Sequence, residues 1–326
     1  MSANKQQTDN PEIGKFFRAF EMTSQWRELK FSGKSVFSEL PKVIAGHIEY
    51  QFLTYYFSDP PKWRLAARKL TPKSKRIVPD YIMTTTPKSG SSDLVSHLLT
   101  HPNVMHPLAK EVKSWAFNDV HAFYPTLKEK QKREAKLNGP VRCGYLEPVL
   151  MNLLMMRGLH RLNPNAKVIV TLRDPVDRAY SHYKWDIFLG GSRVKKYRFY
   201  DSFAAYIDRA IDLFPCVSVE SACGYPILQT GIYCKAVEQW INLFGRENVM
   251  VLNISDYFSQ RQPTLEKIQN FLDLPVVDIP EYGKKANENP IKLPPADPET
   301  KAKLAEFYRP YNQKLFDLLG KEFSWQ

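Results

Sequence analysis

The run Tyr81-Ile82-Met83-Thr84-Thr85-Thr86 constrains this chain more than any other feature. It holds six uncharged residues rich in β-formers, with no alternation of polar and apolar positions, and it breaks at Pro87. A short run of that kind is read as a strand buried on both faces. Behind it come a polar turn with one glycine and a helical pattern, in which Leu94, Val95, Leu98 and Leu99 share one face. Lys167-Val168-Ile169-Val170-Thr171-Leu172 repeats the arrangement of strand, polar turn and helix. A third run, Asn248 to Leu252, follows an amphipathic helix spanning Ala236 to Phe244. Strands alternating with helices predict an α/β fold, a central parallel β-sheet flanked by helices. Ligands of such sheets bind beyond the carboxyl ends of the strands, which directs attention to the loops after Thr86 and Leu172.

The first of these loops is Thr86-Pro87-Lys88-Ser89-Gly90-Ser91-Ser92. Gly90 permits a tight turn, and Ser91-Ser92-Asp93 is expected to cap the helix. Successive backbone N–H groups at a helix start form a cradle for an anion. Lys88 adds a mobile charge, and Ser89, Ser91 and Ser92 add hydroxyls. A Walker A loop places its lysine after the second glycine, whereas Lys88 precedes Gly90. The second loop runs Arg173-Asp174-Pro175-Val176-Asp177-Arg178-Ala179-Tyr180-Ser181-His182-Tyr183. Arg173, at the strand end, presents a planar fork suited to phosphate. Ser181 lies two helical turns on and can approach the same group. The competing reading is that Asp174 and Asp177 lock both arginines in ion pairs.

Composition narrows the partners. Lys and Arg exceed Asp and Glu by 46 − 34 = 12 charges, which favours an anionic ligand without naming it. Seven basic residues fall between Lys62 and Arg76, read either as a docking surface or as a solvated lead-in to the core. The chain divides into a helical, basic extension over 1–79, packed on the core, and a main domain over 80–326. The mixed-charge run 127–136 reads as an exposed helix face. Cys143, Cys216, Cys223 and Cys234 include no CxxC pair, and the histidines are too scattered for a metal-ligand set, so no metal is expected. His182 reads as a packing residue.

Taken together, PKSGSSDL, KEVKSW at 110–115 and VIVTLRDPVDRAYSHY resemble the sulfotransferases that use 3′-phosphoadenosine-5′-phosphosulfate (PAPS). The heparan-sulfate and carbohydrate branch is the nearest in flavour, and the likeness runs from about residue 80 to FYRPYNQKLFDLLGKEFSW at the end of the chain. The resemblance implies a P-loop-like α/β enzyme, a transferase producing adenosine 3′,5′-bisphosphate (PAP). By position, Lys88, Ser89, Gly90, Ser91 and Ser92 would hold the phosphosulfate, and Arg173 and Ser181 the 3′-phosphate. Lys284 and Lys285 are the counterparts of a basic segment that closes over the nucleotide, although the surrounding GKKANENPIKL departs from the pattern. Gly231 and Tyr233 align with a G-x-Y motif that shapes the fold. Glu111 corresponds to the base that deprotonates the acceptor. Lys113 stands where the branch often has His or Gln, and with Trp115 it is assigned to the acceptor site.

The implied acceptor is a carbohydrate or a small-metabolite alcohol, with no nucleic acid partner and no membrane span. The oligomeric state is not legible in the sequence. The expected setting is a soluble, cytoplasmic one, with the Golgi lumen as the alternative if an anchor has been removed; Cys216 and Cys223 are close enough in sequence to pair in that case. Two other readings stay open: an ATP-dependent kinase on a variant phosphate loop, and a non-catalytic protein that binds an anionic ligand.

Overall fold

The structure, a computed structural model, describes residues 40–53, 56–57, 60–112, 117–190, 197–216, 226–279 and 292–325. Among them are seven strands: β1 (Tyr56–Phe57), β2 (Tyr81–Thr85), β3 (Val104–Met105), β4 (Ala109–Lys110), β5 (Arg142–Glu147), β6 (Lys167–Leu172) and β7 (Val249–Asn253). Eleven α-helices accompany them. Before the second sheet loop these are α1 (Leu40–Gln51), α2 (Lys62–Lys69), α3 (Ser91–Leu98), α4 (Leu127–Leu137) and α5 (Leu153–Leu162). The rest are α6 (Pro175–Gly190), α7 (Phe203–Leu213), α8 (Cys234–Phe244), α9 (Ile254–Ser259), α10 (Arg261–Phe271) and α11 (Pro298–Leu319).

The expected parallel sheet is present, in the order β3-β5-β2-β6-β7 with every pair parallel. Every residue of β2 is buried, as an uninterrupted β-rich run requires when helices cover both faces. Ile82, Val168 and Val170 point into a cluster with Val237 and Trp240 of α8. Tyr81, Met83 and Ile169 point the other way, into Leu94 and Leu98 of α3 and Leu265 and Ile268 of α10. Trp240 is fully buried and donates its indole N–H to the carbonyl of Leu150 at 3.0 Å, which fixes α8 against the turn after β5.

β5 has no counterpart in the sequence reading, because its Arg142, Gly144 and Glu147 break any apolar run. Its glycine is required: a Cβ on Gly144 would lie 2.3 Å from the Tyr81 ring, which crosses the strand there. β7 begins one residue later than expected and β2 ends one earlier.

α4 carries the mixed-charge run and has no buried residue, in line with an exposed helix face, and a Thr126–Glu129 capping box starts it. The basic segment does more than lead in. Arg68 donates to the carbonyls of Ala122 and Tyr124 at 2.6 and 2.5 Å, and Arg76, 7% exposed, donates to Tyr124 and Arg68 carbonyls. Two of its charges are therefore spent on packing rather than offered to a partner. No helix among the described residues is long and apolar enough to cross a membrane.

β2 lies between β5 and β6, so the loops leaving these three strands emerge side by side at one end of the sheet. The register sets Thr84 opposite Glu147 and Thr85 opposite Thr171, and the Thr85 hydroxyl donates to the Thr171 carbonyl at 2.7 Å.

Candidate active site

At the end of β2 the chain turns through residues 86–90 and enters α3 at Ser91. Lys88 and Gly90 both hold φ of +73°. Gly90 occupies the N-cap position, and a Cβ there would lie 3.0 Å from Ile254 Cγ1 and 3.2 Å from Phe258 Cε2. The expected Ser91-Ser92-Asp93 cap does not form: these residues make the first turn, and no side chain caps the helix. Asp93 instead faces the core, accepting from the Tyr257 hydroxyl at 2.8 Å with Arg261 at 3.6 Å. The consequence is chemical, since first-turn N–H groups not used by a capping side chain are what an anion requires. Ser89 is buried with its hydroxyl 3.1 Å from that of Thr86, and Lys88 Nζ lies over the Trp185 ring of α6.

The second loop is tied to the first. Arg173 donates to the carbonyl of Lys88 at 3.3 Å, and the buried Tyr233 hydroxyl donates to the carbonyl of Arg173 at 3.0 Å. Asp174 starts α6 by accepting from the Val176 N–H at 2.8 Å, and Asp177 lies 3.8 Å from Lys301. Arg178 is fully buried, donating to the Ile227 carbonyl and bonded to His182 Nδ1 at 3.0 Å. Burial, then the charges of Arg178 and Lys88, hold the His182 pKa well below its ordinary value, so the ring is neutral and packs as expected. Arg173 is thus the loop's cation at the strand end, with Ser181 half-buried farther along α6. Gly231 has a packing reason, because a Cβ would meet the Tyr308 hydroxyl at 2.6 Å.

Glu111 follows β4 and holds φ of +60°, its N–H bonded to the Leu146 carbonyl at 2.9 Å. Four non-glycine residues among those described have positive φ, and Lys88 and Glu111 are two of them. A left-handed non-glycine residue costs roughly 1–3 kcal/mol, and such strain concentrates at functional sites. Glu111, Pro87 and Thr86 line one cavity of about 460 Å³, together with Glu147 of β5, whose carboxylate accepts from the Tyr145 hydroxyl. Lys110, 4% exposed, joins the first loop to Glu111: its Nζ lies 3.2 Å from Ser92 Oγ and 3.8 Å from Glu111 Oε1.

Lys110, Glu147 and Trp185 were not among the sequence candidates. Lys110 sits beside Glu111 in KEVKSW and could have been included; Glu147 and Trp185 carry no motif and reach the site only through strand pairing and helix position. Lys113, Trp115, Lys284 and Lys285 lie outside the described residues. No group of three or more His, Cys, Asp or Glu side chains that could hold a metal occurs among the described residues.

A parallel α/β sheet with an uncapped, lysine-bearing strand-to-helix loop and a carboxylate beside it places the chain in the P-loop-like class of α/β folds. Comparison with known proteins carries this further. The profile of the sulfotransferase domain family matches residues 78–287. The chain is 24% identical to the membrane-associated sulfotransferase kil1 of Dictyostelium discoideum, over 76% of this chain and 67% of that protein. It is 25% identical to human carbohydrate sulfotransferase 15, over 77% and 55% respectively. With human heparan sulfate glucosamine 3-O-sulfotransferase 5 it shares 26% identity over 51% of each chain. It therefore spans between 51% and 67% of the length of these relatives. Among solved structures, a sulfotransferase from Alicyclobacillus acidocaldarius superposes with a TM-score of 0.55 at 20% identity, covering 76% of this chain and 98% of that one, a likeness of fold. The chain belongs to the sulfotransferase family, a family of transferases.

Proposed function

We propose that the protein moves the sulfuryl group of PAPS to an acceptor hydroxyl, with Glu111 as the base. The observation that carries this reading is the shared cavity: Glu111 and the donor loop, through Thr86 and Pro87, line the same space. The residues suit the donor. An uncapped helix start with Lys88 and three loop serines matches a phosphosulfate, and Arg173, held at the end of β6, matches the 3′-phosphate together with Ser181. Lys284 and Lys285 would close over the nucleotide, and Lys113 and Trp115 would meet the acceptor.

PAPS supplies a sulfuryl group on a leaving bisphosphate. Glu111 accepts the proton of the acceptor hydroxyl, whose oxygen forms a bond to sulfur. The bond from sulfur to the bridging oxygen breaks in line, and PAP departs with the electron pair. Lys88 and the first-turn N–H groups meet the charge growing on that oxygen, where one preorganised donor is worth roughly 3–4 kcal/mol. Lys110 holds Glu111 to the donor loop through Ser92, so base and donor share one frame.

The acceptor hydroxyl belongs to a sugar or a small-metabolite alcohol. The helical, basic segment before residue 80 is proposed as an extension packed on the catalytic domain of 80–326, a reading supported by the carbonyls that Arg68 and Arg76 hold. A reducing, cytoplasmic setting is proposed, with the Golgi lumen as the alternative; Cys223, which would pair with Cys216 in that case, lies outside the described residues.

Thermal unfolding with PAP, with its 2′,5′ isomer and with Mg-ATP tests the donor. A ligand at about a hundred times its Kd adds about 2.7 kcal/mol. A raised midpoint with PAP alone supports the assignment. A rise with Mg-ATP alone turns it to a kinase, and no rise with any of the three turns it to a protein without this nucleotide site.

A further inference from the structure

A second cavity, also of about 460 Å³, opens between α4 and the turn at 99–102 that leads into β3. It lies at the opposite end of the sheet from Glu111. Val104 of β3 pairs with Arg142, the first residue of β5, whereas Glu147 of the Glu111 cavity is the last. α3 connects the two ends: its first turn belongs to the donor loop, and its last leads to Leu99 and Thr100 in this wall. Three cations of α4 line the cavity, Lys132, Arg133 and Lys136, beside the apolar Leu99 and Leu137. Lys136 is three residues from Arg133 and four from Lys132, so the three share one helix face.

The neighbours of these cations set the face apart from a merely solvated one. Arg133 is half-buried, and its Nε and Nη2 both donate to the Pro102 carbonyl, at 3.1 and 2.6 Å. One carbonyl does not exhaust the five donors of a guanidinium, so the group is fixed in place with N–H groups to spare. The carboxylates of α4 are held elsewhere. Glu129 Oε2 accepts from the Thr126 N–H and hydroxyl at 2.6 and 2.8 Å, and Glu134 Oε1 accepts from the Val141 N–H at 3.4 Å. Glu129 still reaches the wall, which therefore sets three cations against one carboxylate. His101, also in the wall, donates to the Pro275 carbonyl and accepts from the Asn103 N–H, both at 2.9 Å, and so stays neutral.

An excess of positive charge, one member of it preplaced, in a cavity of ligand size selects a multiply charged anion. Lys132 and Lys136 are only about 6 Å apart along the helix axis, which suits charges carried close together on one molecule. We propose that this cavity binds a compact small molecule bearing two or more phosphate or sulfate groups, held by Lys132, Arg133 and Lys136. The site stands apart from the sulfuryl-transfer reading, whose loops lie at the other end of the sheet.

Calorimetric titration of the full chain with inorganic tripolyphosphate, in metal-free buffer, reads this site. Saturable binding is expected, weakened at least tenfold by Lys132→Gln with Lys136→Gln. Lys235→Gln with Lys267→Gln, on α8 and α10, removes the same net charge and should weaken binding less than twofold. Lys88→Ala, at the donor loop, should likewise leave this binding within twofold. The four lysines replaced by glutamine are exposed, and melting midpoints report whether each variant keeps the fold. Failure to saturate, equal loss in the two double variants, or loss in Lys88→Ala in place of the α4 variant overturns the proposal. Saturation by a heparin hexasaccharide but not by tripolyphosphate also overturns it, in favour of a sulfated chain.

Discussion

Lys88 Nζ lies 3.6 Å from the centre of the Trp185 ring, so the ammonium of the first loop rests on the helix that begins in the second. Such a contact is worth about 0.5–2 kcal/mol depending on its exposure to water. With the Arg173 bond to the Lys88 carbonyl, it makes the two loops one unit. Trp185→Phe should preserve turnover within about threefold, because a ring face remains. Trp185→Ala should lower kcat more than it raises the KM for PAPS, as measured by steady-state transfer of label. A KM change alone would assign Trp185 to binding rather than to the placement of Lys88.

Lys88→Ala removes the charge proposed to meet the leaving oxygen. Turnover should fall by roughly 10²–10³-fold while PAP affinity falls far less. Single-turnover rates at saturating PAPS beside PAP titration calorimetry separate the two; unchanged turnover at saturation would remove Lys88 from the chemical step.

Glu111→Gln keeps the shape of the side chain and removes the proposed proton acceptor. Its kcat should fall by roughly 10²–10⁴-fold, with the PAP melting shift unchanged. Full activity in that variant would hand the role of base to another group, and Glu147 in the same cavity would be the next to substitute.

Stability should fall in mild acid. Burial is the first cause that lowers the pKa of His182 and of His101 below their ordinary 6.5. Below pH 6.5 the unfolded chain takes up protons at these rings and the folded chain does not. The stability they contribute is therefore complete above pH 6.5 and is lost as pH drops towards the depressed folded values. Urea midpoints should decrease from pH 7.5 to pH 5.5, and His182→Gln should reduce that slope; an equal slope in the variant would contradict the assignment.

Gly144→Ala places a methyl 2.3 Å from the Tyr81 ring, between two central strands. Overpacking of this kind costs typically 1–3 kcal/mol, roughly, and should appear as a lower urea midpoint with an unchanged m-value. Gly139→Ala, whose Cβ would find nothing nearer than 3.6 Å, is the control.

What the chain decides by itself is the pair of buried strands and the loops behind them. β2 and β6 are short, β-rich and uninterrupted, so the cost of leaving them in water dictates helices on both faces and a parallel sheet. Lys88, Gly90 and Arg173 were legible for the same local reason: a strand end, a turn that needs positive φ, and a helix start are all written within a few residues. β5 was not legible, because its burial comes from neighbours on either side rather than from an apolar run of its own. Glu147 enters the cavity only once β5 pairs with β2, and Trp185 meets Lys88 only once α6 folds back beside the first loop. The charged face of α4 likewise looks like ordinary solvated helix until the sheet sets it against the turn at 99–102. Local strand and turn chemistry needs a few consecutive residues, whereas these contacts join residues tens of positions apart, and only the packed sheet brings them within reach.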